Sequence, residues 1–341
     1  MIVWLLLMGF LFGAVGGSLL NAIIYRLPIG LTLWNPPRSF CPNCRHSLGF
    51  KDLIPLFSYL AQGGRCRYCK TKISVQYFLV EILGAGLGTA AALKYLVLEN
   101  HPLKFNFGLL FLLTLLAIFF IDIHYFVIPD SLNSLLFFIG MSQTIFLSQD
   151  LMKSFIGAWT GLGVIWAIAL IGRVFLKKDA MGHGDLKMSR GIGAMLFASG
   201  ALLSLTLAIF LGAAAGVVLI FRSKKKENIQ EEYLSLNEEQ EEPESILSLL
   251  KSGAGYALGM DLLGWIFPRL NQIWFGFSDQ MIENKEDHIE WSKESCLESA
   301  LAAGVIPFGP CLALGAVLVF FFEQNLNDLL DLYFAGIGQL F

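Results

Sequence analysis

The chain has 341 residues, 55% of them hydrophobic and only 15% charged, with a net charge of −3. A soluble domain carries about 25% charged residues, so the composition excludes a soluble globular protein and points to an integral membrane protein. There is no large basic face, and nucleic acid is not an expected partner.

The first apolar run, residues 2–24, has no positive charge ahead of it, as a secretory signal would. Its first basic residue, Arg26, comes after it, which predicts an uncleaved span with its N-terminus outside. Residues 25–74 are polar, basic and rich in cysteine. Further apolar runs at about 75–97, 106–122, 132–149, 155–175, 188–201, 203–221 and 303–322 give about eight spans of the length a bilayer needs. The stretch 188–221 is too long for one span of about 20 residues and short for two, and charge decides it. With it split, all of the 24 Lys and Arg except Lys94, Lys104 and Lys153 fall on one side, the cytoplasmic one. A single span would put "RSKKK" (222–226) outside. After that basic cluster comes a run of Glu between 227 and 244, expected to be solvated. The following "GAGYALGMDLLGWIFPRLNQIWFGF" is broken by Pro268, and its uninterrupted apolar part is short for a ninth span, so it reads as an interfacial amphipathic helix. The insertion 222–302 separates the membrane core 75–221 from the last helix and tail, 303–341.

"CPNC" and "CRYC" place Cys41, Cys44, Cys66 and Cys69 in the pattern C-x2-C-x21-C-x2-C. Each pair offers two thiolates from one tight turn, and two turns close a tetrahedron around Zn2+. Disulfides and a thioredoxin-like redox site are the alternatives. A cytoplasmic loop keeps thiols reduced, and no βαβ pattern lies nearby. With all four positions filled by sulfur, the expected metal role is structural. The expected fold is therefore all-α and polytopic, with about eight transmembrane helices and a small cytoplasmic zinc-binding domain at 25–74. Cys296 and Cys311 read as ordinary small hydrophobic residues.

A carboxylate within a span costs about 2.5–3.5 kcal/mol, so each one needs a reason. Asp130 follows Pro129 and reads as an N-cap or a support for the site. Glu81 is expected to pair with a basic group. Asp122 ends its helix in "FFIDIHYFVIPD", where the helix dipole disfavours negative charge. Asp185 follows glycines in "MGHGDLKM" that permit a bent backbone, and it opens a new helix. Lys187 is expected to pair with Asp185 or to face lipid headgroups, and His183 to fill the loop. Asp122 and Asp185 both reach the same membrane face in this topology. Two carboxyls converging there would share a proton, one activating water and the other protonating the leaving amine. By itself Asp185 also reads as an anion at a helix N-terminus.

The chain resembles the type IV prepilin peptidases, the bifunctional leader peptidase/N-methyltransferases of pilus and type II secretion systems. The resemblance runs through "GGSLLNAIIYRLP", "PPRSFCPNC", "DLIPLFSYL", "GRCRYCKTKIS", "VEILGA", "IDIHYFVIPD", "GHGDLKM" and "IPFGPCLALG", in that order. It implies that Asp122, opening a D-x5-I/L-P-D pattern, and Asp185, in a GxGD pattern, are the catalytic pair of an intramembrane aspartic protease. It also implies a zinc tetrad at the four cysteines, prepilin or pseudopilin substrates, and methylation from S-adenosylmethionine. The location it implies is the bacterial cytoplasmic (inner) membrane, with the active site facing the cytoplasm and lipid around the helices. No Rossmann glycine loop supports the methyl donor's site. The insertion is not required by the family pattern and contains neither aspartate of the pair nor any of the four cysteines. The alternatives are a peptidase without methyltransferase activity, a proton-coupled transporter, or a zinc-regulated scaffold. A transporter would show midplane aspartates and related halves, whereas these aspartates sit at the edge and no halves repeat.

Overall fold

The computed structural model describes residues 1–31, 38–147, 149–176, 181–223, 245–262 and 307–322. Among them there is no β-strand, and the helices in chain order are α1 (Ile2–Arg26), α2 (Phe57–Ala61), α3 (Val75–Ala92), α4 (Pro102–Tyr125), α5 (Asp130–Phe146), α6 (Leu151–Leu176), α7 (His183–Ser223), α8 (Ile246–Ala257) and α9 (Phe308–Phe322). Five of the described helices are long and apolar enough to cross a membrane: α1, α3 with its continuation to Leu98, α4, α6 and α7. The protein is thus an all-α, multi-pass membrane protein. α5, at 17 residues, and α9 cover expected spans but are shorter than that criterion. The acidic tract at 227–244, and everything from 263 to 306, lie outside the described residues.

The chain folds into two compact units, one of Met1–Ile121 with Phe146–Ser148, the other of Asp122–Ile145 with Gln149–Phe341. In the first, α1 meets α3 along a seam of small residues. Gly9, Gly13 and Gly17, one turn apart, lie against Gly84, Gly88 and the backbone at Glu81, so a Cβ on Gly13 would overlap the Gly84 carbonyl. Lipid tails are as apolar as leucine, so close backbone approach of this kind holds membrane helices together. Asn21 Nδ2 adds a hydrogen bond of 3.0 Å to the Tyr77 carbonyl.

In the second unit, α6 and α7 form a similar seam, Gly157 and Gly161 facing Gly193 and Ser189. The expected break near 202 lies earlier. Phe197 leaves helical geometry (φ 58°, ψ −172°), dividing α7 into 183–196 and 198–223. Gly157 makes this possible, because a Cβ there would sit 2.6 Å from Phe197 Cα. A break inside a membrane helix strands backbone carbonyls that water does not reach. The Ser154 hydroxyl meets one of them, donating to the Ala194 carbonyl at 2.6 Å.

α8, capped by Ser245 Oγ accepting from Ser248 N–H, buries Leu249, Ser252, Gly253 and Tyr256. That i, i+3, i+4, i+7 spacing is one helix face. Trp166 Nε1 of α6 donates to the Leu249 carbonyl at 3.2 Å, and Gly253 leaves room for the indole. The described part of the expected interfacial stretch is therefore packed against the membrane core.

Candidate functional site

Asp122 stands on the last turn of α4, 5% exposed. Beyond it the chain reverses through Phe126, which has a left-handed φ of 53°, and Pro129 then opens α5. Asp185 lies in the first turn of α7. The two are brought to one place. The Gly309 N–H of α9 binds the Asp122 carboxylate, the Gly182 N–H binds the Asp185 carboxylate, and the Asp122 charge acts directly on Asp185. Ile128 fills the space beside them. A Cβ on Gly184 would lie 3.0 Å from Ile128 Cβ, and one on Gly309 would lie 3.0 Å from Ile128 Cδ1. Asp185 Oδ1 is buried without a hydrogen-bond partner among the described residues. A buried acceptor left this way lacks about 1–3 kcal/mol of compensation, which suits an oxygen meant for a reactant. Cys311, expected to be an ordinary core residue, is buried on α9 within electrostatic reach of both aspartates.

The neighbouring charges differ from expectation. Lys187 is paired with Asp130, Nζ to Oδ1 2.7 Å, and does not reach Asp185. The reason is periodicity: residues two apart point to opposite sides of a helix. Asp130 supports this arrangement from the first turn of α5, where the Pro129 carbonyl accepts from the Leu132 and Asn133 N–H groups. His183 is no loop filler, because its Nδ1 lies 3.1 Å from the Tyr256 hydroxyl.

Several further residues of the site were not singled out in the sequence. Asn133, 1% exposed, donates from Nδ2 to the Gly184 carbonyl at 3.2 Å, pinning the first turn of α7 that carries Asp185. An amide one turn after Asp130 in an apolar run was the available signal. Arg190 and Asp261 form a buried ion pair described below. Gly309 has the clearest requirement. A Cβ at Gly309 would fall 2.5 Å from Asp122 Oδ2. Gly309→Ala is therefore expected to displace the carboxylate and lower the site's activity by about 10²-fold, with little loss of folded protein. Activity assay beside thermal unfolding checks this.

The cysteines lie in two like-built turns. Cys41 N–H donates to the His46 carbonyl and Arg45 N–H to Cys41; Cys66 N–H donates to Thr71 and Lys70 N–H to Cys66. Arg45 and Lys70, each just after its second cysteine, share a left-handed φ of 54° and 60°. The four Sγ atoms lie within 4.8 Å of one another, with Cys41 and Cys69 at 3.9 Å. Tetrahedral Zn–S bonds of about 2.3 Å give an S···S edge of about 3.8 Å, so the cluster can hold a metal ion. The Thr71 hydroxyl and N–H, with the Asn43 amide, draw the Cys69 thiol down to about 5, toward the ligating thiolate. Cys44 is held up at about 11: the His46 amide lowers it, but burial and the neighbouring thiols outweigh that.

Among the described residues, Glu81 in the same unit takes no basic partner. Its Oε2 accepts from the Leu56 N–H at 2.7 Å, fixing a residue with φ 62° between the cysteine turns.

Residues 11–95 match the family model for the bacterial peptidase A24 N-terminal domain, and residues 109–217 match that for the type IV leader peptidase family. Curated relatives named prepilin leader peptidase/N-methyltransferase align over much of the chain. That of Pectobacterium carotovorum subsp. carotovorum is 35% identical over 250 residues, covering 64% of this chain and 85% of the relative. That of Aeromonas hydrophila is 35% identical over 241 residues, covering 62% and 80%. That of Dichelobacter nodosus is 31% identical over 205 residues, covering 52% and 70%. No solved structure matches. The first matched segment contains the four cysteines and the second contains both aspartates, and the chain belongs to the type IV leader peptidase family.

Proposed function

We propose that this protein removes the leader peptide of type IV prepilins or pseudopilins at the cytoplasmic face of the bacterial inner membrane, and then N-methylates the new N-terminal residue. Asp122 and Asp185 are the catalytic pair, and Cys41, Cys44, Cys66 and Cys69 hold a structural zinc ion. One observation carries the reading: the two carboxyls, 63 residues apart in sequence, converge beside the Gly309 and Gly182 amides. Two carboxyls so placed divide one proton between them. The ionised one takes a proton from water, which attacks the scissile carbonyl. The protonated one donates to the departing amine. The substrate's apolar helix lies among the membrane helices and presents its leader at the end of α4. The positive-inside placement of Lys and Arg puts that end at the cytoplasm.

When bound at the four thiolates, zinc supplies a fixed cross-link between the two cysteine turns. For S-adenosylmethionine, the described residues offer no recognisable site, and methyl transfer rests on the activity named for the relatives. The test is to incubate the full chain in lipid vesicles with a prepilin and S-adenosylmethionine and weigh the product. Leader loss and the added mass of a methyl group are expected. Leader loss without the methyl group would make the protein a peptidase alone, and neither change would overturn the proposal.

A further inference from the structure

The described part of the insertion, 245–262, lies beyond both matched family segments, yet it reaches the helix of Asp185. Arg190, five residues after Asp185, is 4% exposed. A buried guanidinium needs an opposite charge with its donors satisfied. The insertion provides the charge and most of the acceptors: Asp261 accepts from Nη1 and Nη2 at 2.8 and 2.7 Å, and the Tyr256 carbonyl accepts from Nη1 at 2.7 Å, while Nε is buried without a hydrogen-bond partner among the described residues. The Asp261 side chain is itself only 7% exposed, so neither charge is tolerated there without the other. The Phe137 ring of α5, 5.0 Å away, closes another side of the guanidinium.

Tyr256 works on both sides of Asp185. Its hydroxyl meets His183, two residues before, at 3.1 Å. Its ring lies 4.9 Å from the Lys187 ammonium, two residues after, and Lys187 is bonded to Asp130 on α5. An ammonium over a tyrosine face is attracted by the ring's quadrupole. α8 is anchored in turn on α6 by Trp166.

We propose that residues 246–262 are a working part of the catalytic unit, with Tyr256 and Asp261 as positioning residues that hold the first turns of α7 and so set where Asp185 sits. This rests on the reading of Asp185 as catalytic. Asp185 acts in the chemical step, so loss of its positioning is expected to act on that step. Asp261→Asn and Tyr256→Phe are each expected to lower kcat for leader cleavage by about tenfold or more while KM stays within about twofold. Arg190→Met combined with Asp261→Leu removes both charges together and is expected to recover most of the loss caused by Asp261→Asn.

Amide hydrogen exchange over 181–190 supplies a readout that does not depend on catalysis, and it should quicken in Asp261→Asn. Wild-type kcat and unchanged exchange in both single variants, with the protein folded, would overturn the proposal. So would a loss of kcat that merely follows the folded fraction. If Asp185→Asn still cleaves at the normal rate, the catalytic reading falls instead, and exchange alone decides whether the insertion holds the start of α7.

Discussion

Asp122→Asn and Asp185→Asn should each lower leader cleavage by about 10²- to 10⁴-fold, the range that general acid–base groups supply. Asparagine keeps the size and an acceptor oxygen, so the Gly309 N–H and the Gly182 N–H retain a partner and the fold is expected to survive. It neither takes a proton from water nor gives one to the leaving amine. Because the pair acts as one unit, the double variant is expected to be little worse than either single one. Initial rates on a prepilin in vesicles, with thermal unfolding as the control, measure this. Normal cleavage by either single variant would remove that residue from the mechanism.

Loss of metal is the other large effect. Cys41→Ser and Cys66→Ser each break one of the two turns, and each is expected to reduce bound zinc from about one ion per chain to nearly none. Zinc binding to structural sites of this ligand type contributes about 10–16 kcal/mol in zinc-finger peptides at neutral pH. Few tertiary contacts replace it here, since Cys44, Phe50, Phe57, Leu60 and Tyr68 are all exposed. The segment 38–74 should therefore become sensitive to proteases in these variants and in wild-type protein treated with a chelator. Metal analysis and limited proteolysis together test it; full zinc content in either variant would rule out the four-sulfur site.

The sequence made the long apolar helices legible, because a bilayer demands about 20 apolar residues and few charges. The cysteine turns were legible for a similar reason, since a tetrahedral site fixes ligand type and spacing locally. What it hid was set by three-dimensional approach. The break in α7 depends on Gly157, forty residues away from Phe197, and on the hydroxyl of Ser154. Lys187 chose Asp130 over its near neighbour Asp185 because helical rotation turned it away. Glu81 spent its charge on a backbone N–H at a strained turn, a partner that carries no charge to search for. Arg190 looked like one more basic residue near a membrane edge, and its neutralising partner lay 71 residues on, in a segment that reads as a surface helix.

That last pairing also carries a historical consequence. A buried arginine and the aspartate that neutralises it have to be gained and lost together, because either alone leaves a bare charge in the core. Among relatives, those lacking the segment equivalent to 246–262 are then expected to carry a small or apolar residue where this chain has Arg190. Conversely, the segment cannot be trimmed from this protein by deletion alone; a second change at Arg190 must accompany it. The insertion and the arginine are thus expected to form a single inherited character, written in two places along the chain.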